Sequence, residues 1–288
     1  MRLGRVQTQQ GPRACVVHDT EVEVLDLSLV GLQHLDELLS HPSMTSLLQK
    51  CMGQGERIAI DQVQWLPPID RQEVWAAGVT YKRSQTARME ESEAAADCYS
   101  RVYNSPRPEI FFKATPSRCS GNDGELRIRY DATWNVPEPE LALVISNQMT
   151  IVGYTIGNDM SSRDIEGENP LYLPQAKVYR QCCGLGPWIT LAESMPPREQ
   201  IGISLQIERQ GQVVFEGQTS VAQMARKLEE LVQWLGREDD FPHGAFLLTG
   251  TGIVPDSTFT LAAGDVVTIR IDGIGQLRNT IVQSPLRT

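Results

Sequence analysis

Two carboxylates lie two residues apart in the proline-rich segment 137–140 (PEPE). Successive side chains of a β-strand point to opposite faces, so Glu138 and Glu140 would share one face, about 6–7 Å apart at the backbone. Two like charges at this separation repel each other unless a cation lies between them. The prolines remove backbone donors, which is typical of a sheet edge or rim. The segment predicts a cation site, although a solvated surface pair is also compatible with it.

A third carboxylate follows one strand later. The interval between Glu140 and Asp159 fits a single hairpin return, which would bring Asp159 to the same rim. Three carboxylates with no histidine or cysteine nearby favour a hard cation such as Mg²⁺. We therefore expect Glu138, Glu140 and Asp159 to bind Mg²⁺, with Mn²⁺ or Ca²⁺ as substitutes.

Lys177 and two glycine loops are further candidates. Lys177 lies between apolar residues, and beside a metal site it would be a candidate base. Its segment alone is also typical of an exposed surface lysine. The loops at 184–188 (GLGPW) and 248–252 (LTGTG) adjoin predicted strands, so their backbone N–H groups could face an anion. They are equally compatible with ordinary turns, and neither matches a P-loop or dinucleotide fingerprint.

A β-rich scaffold must position these side chains. Strands are predicted from apolar runs, which lie at 74–79, 109–113, 134–145, 150–156, 188–190, 201–209, 246–248 and 266–271. One helix is predicted from the apolar stripe of residues 221–235, with Ser220 capping its start and Gly236 its end. Because strands dominate, we expect an α+β, β-rich fold: a mixed β-roll with a few covering helices.

The first part of the chain differs from the rest in its pattern of predicted strands and helices. Short strand-like runs and a leucine-rich helical stretch precede the stiff segment 65–68 (WLPP). Consecutive prolines disfavour both helix and sheet, so this segment is a natural connector. We expect a small N-terminal α/β domain at residues 1–68 and a larger catalytic domain at residues 69–288.

Composition excludes several classes of function. The chain has 288 residues and a formal net charge of -10. An acidic surface repels phosphate backbones and anionic lipid, so we expect neither nucleic-acid nor membrane partners. No apolar run is long enough to span a bilayer, and the first residues lack a signal core. The six cysteines show no zinc-type spacing and are interpreted as reduced thiols, which indicates a cytoplasmic protein.

The motifs follow one another in a specific order. They are GVTY at 78–81, PEIFFK at 108–113, EPEL at 138–141, GYTIGND at 153–159, SRD at 162–164, GLGPW at 184–188, TGTG at 249–252, GDVV at 264–267 and IGQLRN at 274–279. This order resembles the fumarylacetoacetate hydrolase family over roughly residues 74–285. The resemblance implies a mixed β-roll in which the two glutamates and the later aspartate hold Mg²⁺ against the 2-oxo-carboxylate end of a substrate.

The resemblance also implies roles for single residues. Lys177 matches the active-site lysine of the family, and Thr251 matches a threonine near the substrate carboxylate. Tyr81 and Ser84 fall in the segment that corresponds to the family's Gly-x-Asn-Tyr motif and the short helix after it, and they are assigned to substrate binding. The family often forms dimers, so we expect a homodimer or a larger homo-oligomer.

Departures from the family pattern indicate the subclass. Carbon–carbon hydrolases of the family carry a histidine and a glutamate after their Gly-x-Asn-Tyr segment, and this dyad activates water. Ser84 and Ala87 occupy the corresponding positions here, so hydrolysis would lack its usual base. The pattern is similar to the sugar-acid branch, the dehydratases of 2-keto-3-deoxy-pentonates. In that branch a glutamate, here Glu109, faces the substrate.

The resemblance to this branch implies the loss of water from a sugar acid in sugar catabolism. Mg²⁺ polarises the 2-oxo group and acidifies the C3 protons. Lys177 would remove a C3 proton and Glu109 would protonate the departing C4 hydroxyl, or the two roles are reversed. Tautomerisation of the product would give 2,5-dioxopentanoate, which is 2-oxoglutarate semialdehyde. The sequence does not determine the sugar acid or its C4 stereochemistry.

Two other functions stay open. One is an acylpyruvate-type hydrolase or oxaloacetate decarboxylase of the same family, which the absent dyad disfavours. The other is a non-catalytic sugar-acid sensor on the same fold. The intact set of Glu138, Glu140, Asp159 and Lys177 argues against a sensor.

Overall fold

The computed structural model of the chain describes residues 1–83 and 100–285. The strands of its first part are β1 (Arg2–Thr8), β2 (Gly11–Val17), β3 (Glu21–Val24), β4 (Arg57–Ala59) and β5 (Trp65–Leu66). The helices α1 (Leu35–Leu39) and α2 (Met44–Cys51) lie between β3 and β4.

The second part contains most of the strands. They are β6 (Glu73–Gly78), β7 (Glu109–Ala114), β8 (Cys119–Ser120), β9 (Glu125–Ile128), β10 (Asn135–Val136), β11 (Pro139–Ile145), β12 (Ile151–Asp159), β13 (Ser161–Ser162), β14 (Cys183–Leu191), β15 (Gly202–Arg209), β16 (Gln212–Ser220), β17 (Ala245–Leu248), β18 (Val266–Ile271) and β19 (Gly275–Gln283). The labelled helices are α3 (Arg163–Glu168), α4 (Leu173–Lys177) and α5 (Leu228–Leu235), and residues 100–104 are also helical.

Two sheets form the frame of the molecule. A twelve-stranded sheet has the order β4-β3-β2-β1-β14-β12-β11-β17-β6-β7, with β5 beside β1 and β8 beside β14. A five-stranded sheet has the order β16-β15-β18-β19-β9, and β10 pairs with β13 in a short ribbon. Leu143 of β11 lies in one buried core with Leu205 and Ile269 of the second sheet. The predicted β-rich α+β architecture is confirmed.

The N-terminal strands continue the sheet of the second part. The join is made by β1 and β14, which pair antiparallel through Leu3 and Ile189. The boundary after residue 68 therefore lies within one hydrogen-bonded sheet, and the two-domain division stays a prediction.

Strands β11 and β12 form the hairpin that the interval between Glu140 and Asp159 predicts. The two strands pair antiparallel, with Pro139 opposite Asn158 and Glu140 opposite Gly157. A Cβ atom at position 157 would come within 2.3 Å of the Leu248 side chain, so glycine at this position leaves room for that side chain. This register places Glu140 and Asp159 at the same end of the hairpin.

The prediction of one helix over residues 221–235 is wrong for the first half of this range, which is not α-helical. Ser220 caps only a short 3₁₀ turn, since its hydroxyl accepts the N–H of Ala222, and α5 begins at Leu228. Between them the chain is held by tertiary hydrogen bonds, because Ala225 donates its N–H to the carbonyl of Thr80 at 2.8 Å. Gly236 does end the helix, as predicted.

Among the described residues no helix combines the length and apolar character that a bilayer crossing needs.

Candidate active site

Three buried carboxylates meet at the end of the β11–β12 hairpin. Glu138 precedes β11, Glu140 lies on β11, and Asp159 ends β12. Each offers a carboxylate oxygen, and these oxygens all lie within 4.8 Å of one another. We call these three residues the carboxylate triad. The structure thus brings together the three residues that the sequence predicts as metal ligands.

The electrostatics of Glu140 fit a cation at the triad. Burial raises the pKa of Glu140 well above its ordinary value, and the charges of Asp159 and Glu138 raise it further. The charge of Lys177 and a 2.5 Å hydrogen bond from the N–H of Gly250 offset this only in part. An all-oxygen set of buried carboxylates suits a hard divalent ion such as Mg²⁺. The residues present therefore fit that ion.

Lys177 lies against the triad and is not a surface lysine. Its side chain is buried at the end of α4. The ammonium group donates to Glu138 Oε2 at 2.7 Å, to Asp159 Oδ2 at 3.0 Å and to Ser161 Oγ at 2.5 Å. The surface alternative left open by its segment is wrong, because these contacts come from residues distant in sequence.

Two further cations were missed by sequence reasoning. Lys113 on β7 is fully buried, and its Nζ lies 2.6 Å from Asp159 Oδ1. Burial alone would lower the pKa of Lys113, but the neighbouring Asp159 charge holds that pKa above its ordinary value. Arg163 lies 2.8 Å from Glu138 Oε1 and is buried as well. A lysine within an apolar strand is the only sequence signal, since buried lysines need a charged partner.

A cleft opens beside the triad. Its lining comprises Ala77, Gly78, Val79, Glu109, Phe111, Glu138, Glu140, Asp159, Glu166, Lys177, Gly250 and Thr251. Glu109 on β7 is opposite Gly78 on β6. A Cβ atom at position 78 would overlap the carboxyl group of Glu109, so this glycine lets the carboxyl group lie across the neighbouring strand. Lys177 and Glu109, the two predicted catalytic residues, line the same cleft as the triad.

The three predicted substrate-binding residues have different positions. Thr251 lines the cleft, and its hydroxyl exchanges hydrogen bonds with the backbone of Ile253. Tyr81 is buried in the apolar core and is not among the cleft-lining residues. Burial raises the pKa of Tyr81, and its hydroxyl has no hydrogen-bond partner in the described part of the chain. Ser84 lies outside the described residues.

Glu166 is a cleft residue that sequence reasoning missed. It lies on α3, is only 3% exposed, and lines the cleft with Glu109. Its position three residues after Arg163 is the available signal, because residues three apart share one face of a helix. Nothing in its local sequence indicates that this face turns towards a cleft.

Comparisons with known proteins agree with the arrangement. The family model described as fumarylacetoacetate (FAA) hydrolase C-terminal matches residues 73–282, and one described as Rv2993c-like, N-terminal matches residues 1–68. The chain is 49% identical over 214 residues to the probable 2-keto-3-deoxyxylonate dehydratase of Haloferax volcanii. That alignment covers 74% of this chain and 73% of the relative.

Two further matches extend the comparison. The 2-dehydro-3-deoxy-D-arabinonate dehydratase of Saccharolobus solfataricus is 44% identical over 221 residues, which cover 76% of this chain and 74% of the relative. A solved structure of 2-keto-3-deoxy-D-arabinonate dehydratase, complexed with magnesium and 2,5-dioxopentanoate, superposes with a TM-score of 0.84 at 35% identity. It covers 99% of this chain and 100% of the solved one.

Proposed function

The chain belongs to the fumarylacetoacetate hydrolase family, as its motif order predicts, and we propose that it is a Mg²⁺-dependent dehydratase. Its substrate is a 2-keto-3-deoxy sugar acid, a pentonate, and its product is 2,5-dioxopentanoate. The dehydratase names of relatives at 44% and 49% identity support this assignment. The solved complex with magnesium and 2,5-dioxopentanoate supports both the metal and the product.

One observation in the structure carries the proposal. Lys177 and Glu109 line one cleft with the carboxylate triad, and no histidine of the described residues lines it. A lysine and a carboxylate form a suitable acid–base pair for removing water. The histidine of the dyad that activates water in the family's hydrolases has no counterpart among the described residues of this lining. We assign Glu138, Glu140 and Asp159 as the ligands of Mg²⁺, because their carboxylate oxygens meet within 4.8 Å of one another.

The chemistry follows from the positions of these groups. When bound, Mg²⁺ polarises the 2-oxo group and makes the C3 protons more acidic. In its neutral amine form Lys177 takes a proton from C3, and protonated Glu109 gives a proton to the C4 hydroxyl as it leaves as water. In the reversed assignment the Glu109 carboxylate takes the C3 proton and the Lys177 ammonium group protonates the leaving hydroxyl. The remaining C3–C4 double bond shifts to C4–C5, and the resulting enol tautomerises to the aldehyde. Thr251 binds at the carboxylate end, and Ser84 is retained as a substrate-binding residue. Tyr81 does not line the cleft, but we retain it in the proposed set because, in addition to burial, the charge of Glu140 reaches its hydroxyl group and raises its pKa.

The proposal is tested with purified protein and a substrate panel. The panel contains 2-keto-3-deoxy-pentonates of both C4 configurations, acylpyruvates and oxaloacetate, each with Mg²⁺ or with EDTA, and mass spectrometry identifies the products. We expect EDTA-sensitive loss of one water from a pentonate. Carbon–carbon cleavage or CO₂ release from the other compounds, with the pentonates inert, would overturn the proposal.

A variant tests the role of Glu109. Glu109→Gln removes the proton donor but leaves the triad intact, so we expect turnover to fall by about 100-fold or more while Mg²⁺ binding persists. Calorimetry measures the binding and a coupled aldehyde assay measures turnover. Glu199→Gln, at an exposed residue, is the matched control. Full activity of Glu109→Gln would show that Glu109 does not transfer a proton in the reaction.

We further propose that the protein acts in the cytoplasm, in pentose catabolism, as a homodimer or larger homo-oligomer. The cysteines of the described residues are free thiols, which suits a reducing compartment. We also retain the proposed division into domains 1–68 and 69–288, which agrees with the ranges of the two matching family models. Sedimentation velocity measures the assembly, and a monomer at micromolar concentration would contradict it.

A further inference from the structure

We propose that Glu166 accepts a hydrogen bond from the terminal C5 hydroxyl of the substrate and thereby selects 2-oxo acids hydroxylated at that carbon. This inference rests on the proposed function and deepens it. It names the part of the substrate that one buried carboxylate recognises.

Glu166 is a fixed part of the cleft. Its helix α3 is anchored at its first residue, because Arg163 forms a 2.8 Å ion pair with Glu138 of the triad. The next residue, Asp164, accepts the backbone N–H of Thr133 at 2.6 Å. Arg163 and Glu166 lie three residues apart and share one helix face. The ion pair that joins α3 to the triad therefore also holds the Glu166 carboxyl group in the cleft.

The charge of Glu166 restricts what it can bind. It lies outside the group of carboxylates that meet within 4.8 Å of one another, so it is not part of the triad. The 2-oxo-carboxylate end of the substrate presents only acceptor oxygens and a negative charge, and a second carboxylate repels that end. An ionised carboxyl group accepts hydrogen bonds at several lone pairs, so existing contacts leave room for a further donor. Glu166 is therefore suited to a donor group of the substrate.

The substrate offers two hydroxyl donors. The C4 hydroxyl is the leaving group, which the proposed mechanism assigns to Glu109 and Lys177. The C5 hydroxyl remains, and Glu166 is the remaining carboxylate among the cleft-lining residues. A site that is built to bind a substrate hydroxyl rejects the analogue without it, because the buried polar group then loses its partner.

The test compares two substrates that differ only at C5. One is the 2-keto-3-deoxy-pentonate, and the other is 4-hydroxy-2-oxopentanoate, which keeps the C3 proton and the C4 hydroxyl but lacks the C5 hydroxyl. We expect Glu166→Met to lower kcat/KM for the pentonate by about 10- to 100-fold, since a hydrogen bond to a charged group is lost. Glu166→Gln should fall between wild type and Glu166→Met. Both variants should stay within about twofold of wild type on 4-hydroxy-2-oxopentanoate.

Controls separate specificity from damage to the fold. Glu168→Met changes an exposed residue of the same helix and should leave both substrates unaffected. The isosteric Glu166→Gln carries the test if Glu166→Met does not fold, as judged by thermal unfolding. An equal loss on both substrates, or no loss on either, would overturn the inference. Failure of wild type to dehydrate either compound would instead overturn the proposed function, so the two failures are distinguishable.

Discussion

Two acidic clusters in this molecule have similar spacing and different chemistry. The carboxylate triad lines the cleft, and a second group of His34, Asp36 and Asp70 lies in the N-terminal part. In each group the potential ligand atoms lie within 4.8 Å of one another. Spacing alone therefore does not distinguish a metal site from a structural cluster in this chain.

The N-terminal cluster is already neutralised by arginines. Asp36 Oδ2 lies 2.8 Å from Arg71 Nη2, and Asp70 Oδ1 lies 2.8 Å from Arg5 Nε. Asp70 also accepts the N–H of Leu35 at 2.8 Å, so it holds the start of α1. These carboxylates have partners that hold neighbouring segments together, and we interpret the cluster as structural.

The triad retains a carboxylate that no side-chain cation contacts directly in the described part of the chain. Lys113 and Lys177 contact Asp159, and Lys177 also contacts Glu138. Glu140 accepts a hydrogen bond from the N–H of Gly250, and the pKa of Glu140 is raised by burial and by its acidic neighbours. The two groups differ because each N-terminal aspartate has an arginine partner, whereas Glu140 has no direct side-chain cation in the described residues. A buried carboxylate in that situation, and not proximity alone, favours a bound cation.

The largest expected effect is at Glu140. Glu140→Gln removes a proposed ligand, and we expect turnover to fall by about 1,000-fold, because a metal supplies several kcal/mol of charge stabilisation. The rise in unfolding temperature that Mg²⁺ produces in wild type should disappear. Differential scanning fluorimetry with Mg²⁺ or EDTA measures this shift.

His34→Ala is the matched control in the N-terminal cluster. It removes a potential ligand from a group of the same spacing, and the Mg²⁺-dependent shift should persist unchanged. A shift that survives in Glu140→Gln and disappears in His34→Ala would reverse the comparison.

The second largest effect is at Lys113. Its Nζ contacts Asp159 and donates to the carbonyls of Met160 at 3.0 Å and Lys177 at 2.6 Å. Lys113→Met removes the donor to both carbonyls and one of the two lysines of the described residues that contact Asp159, so we expect the free energy of unfolding to fall by about 3–5 kcal/mol. Urea unfolding measures the change, and the exposed Lys50→Met should cost less than about 0.5 kcal/mol. Equal stability of the two variants would show that Lys113 is not a partner that the triad needs.

The smallest effect concerns Arg71. Arg71→Met removes a charged hydrogen-bond donor from the buried Asp36, and we expect a loss of about 1.5–3 kcal/mol in the free energy of unfolding. Turnover at 25 °C should remain within about twofold of wild type, because the cluster lies outside the cleft lining. Loss of turnover without loss of stability would mean that the N-terminal cluster acts on the reaction.

Local patterns explain how much of the site was predictable. The two-residue spacing of Glu138 and Glu140 at the start of β11 and the length of the hairpin place both glutamates near Asp159 without knowledge of the remaining fold. The same logic fails for residues 221–235, where an apolar stripe fits a helix but tertiary hydrogen bonds hold residues before Leu228 in another conformation. Propensity is a weak prior when the rest of the chain offers competing partners.

The sequence by itself determined the identity of the triad, the β-rich class and the resemblance that led to the family, because these depend on residue type and local spacing. Only the tertiary structure decided that Lys177 is buried against the triad, that Lys113 supports Asp159, and that Glu166 faces the cleft. The physical reason is that burial and charge balance are set by residues far apart in the chain. No local pattern records which distant groups surround a side chain, and those groups decide what a carboxylate or a lysine does.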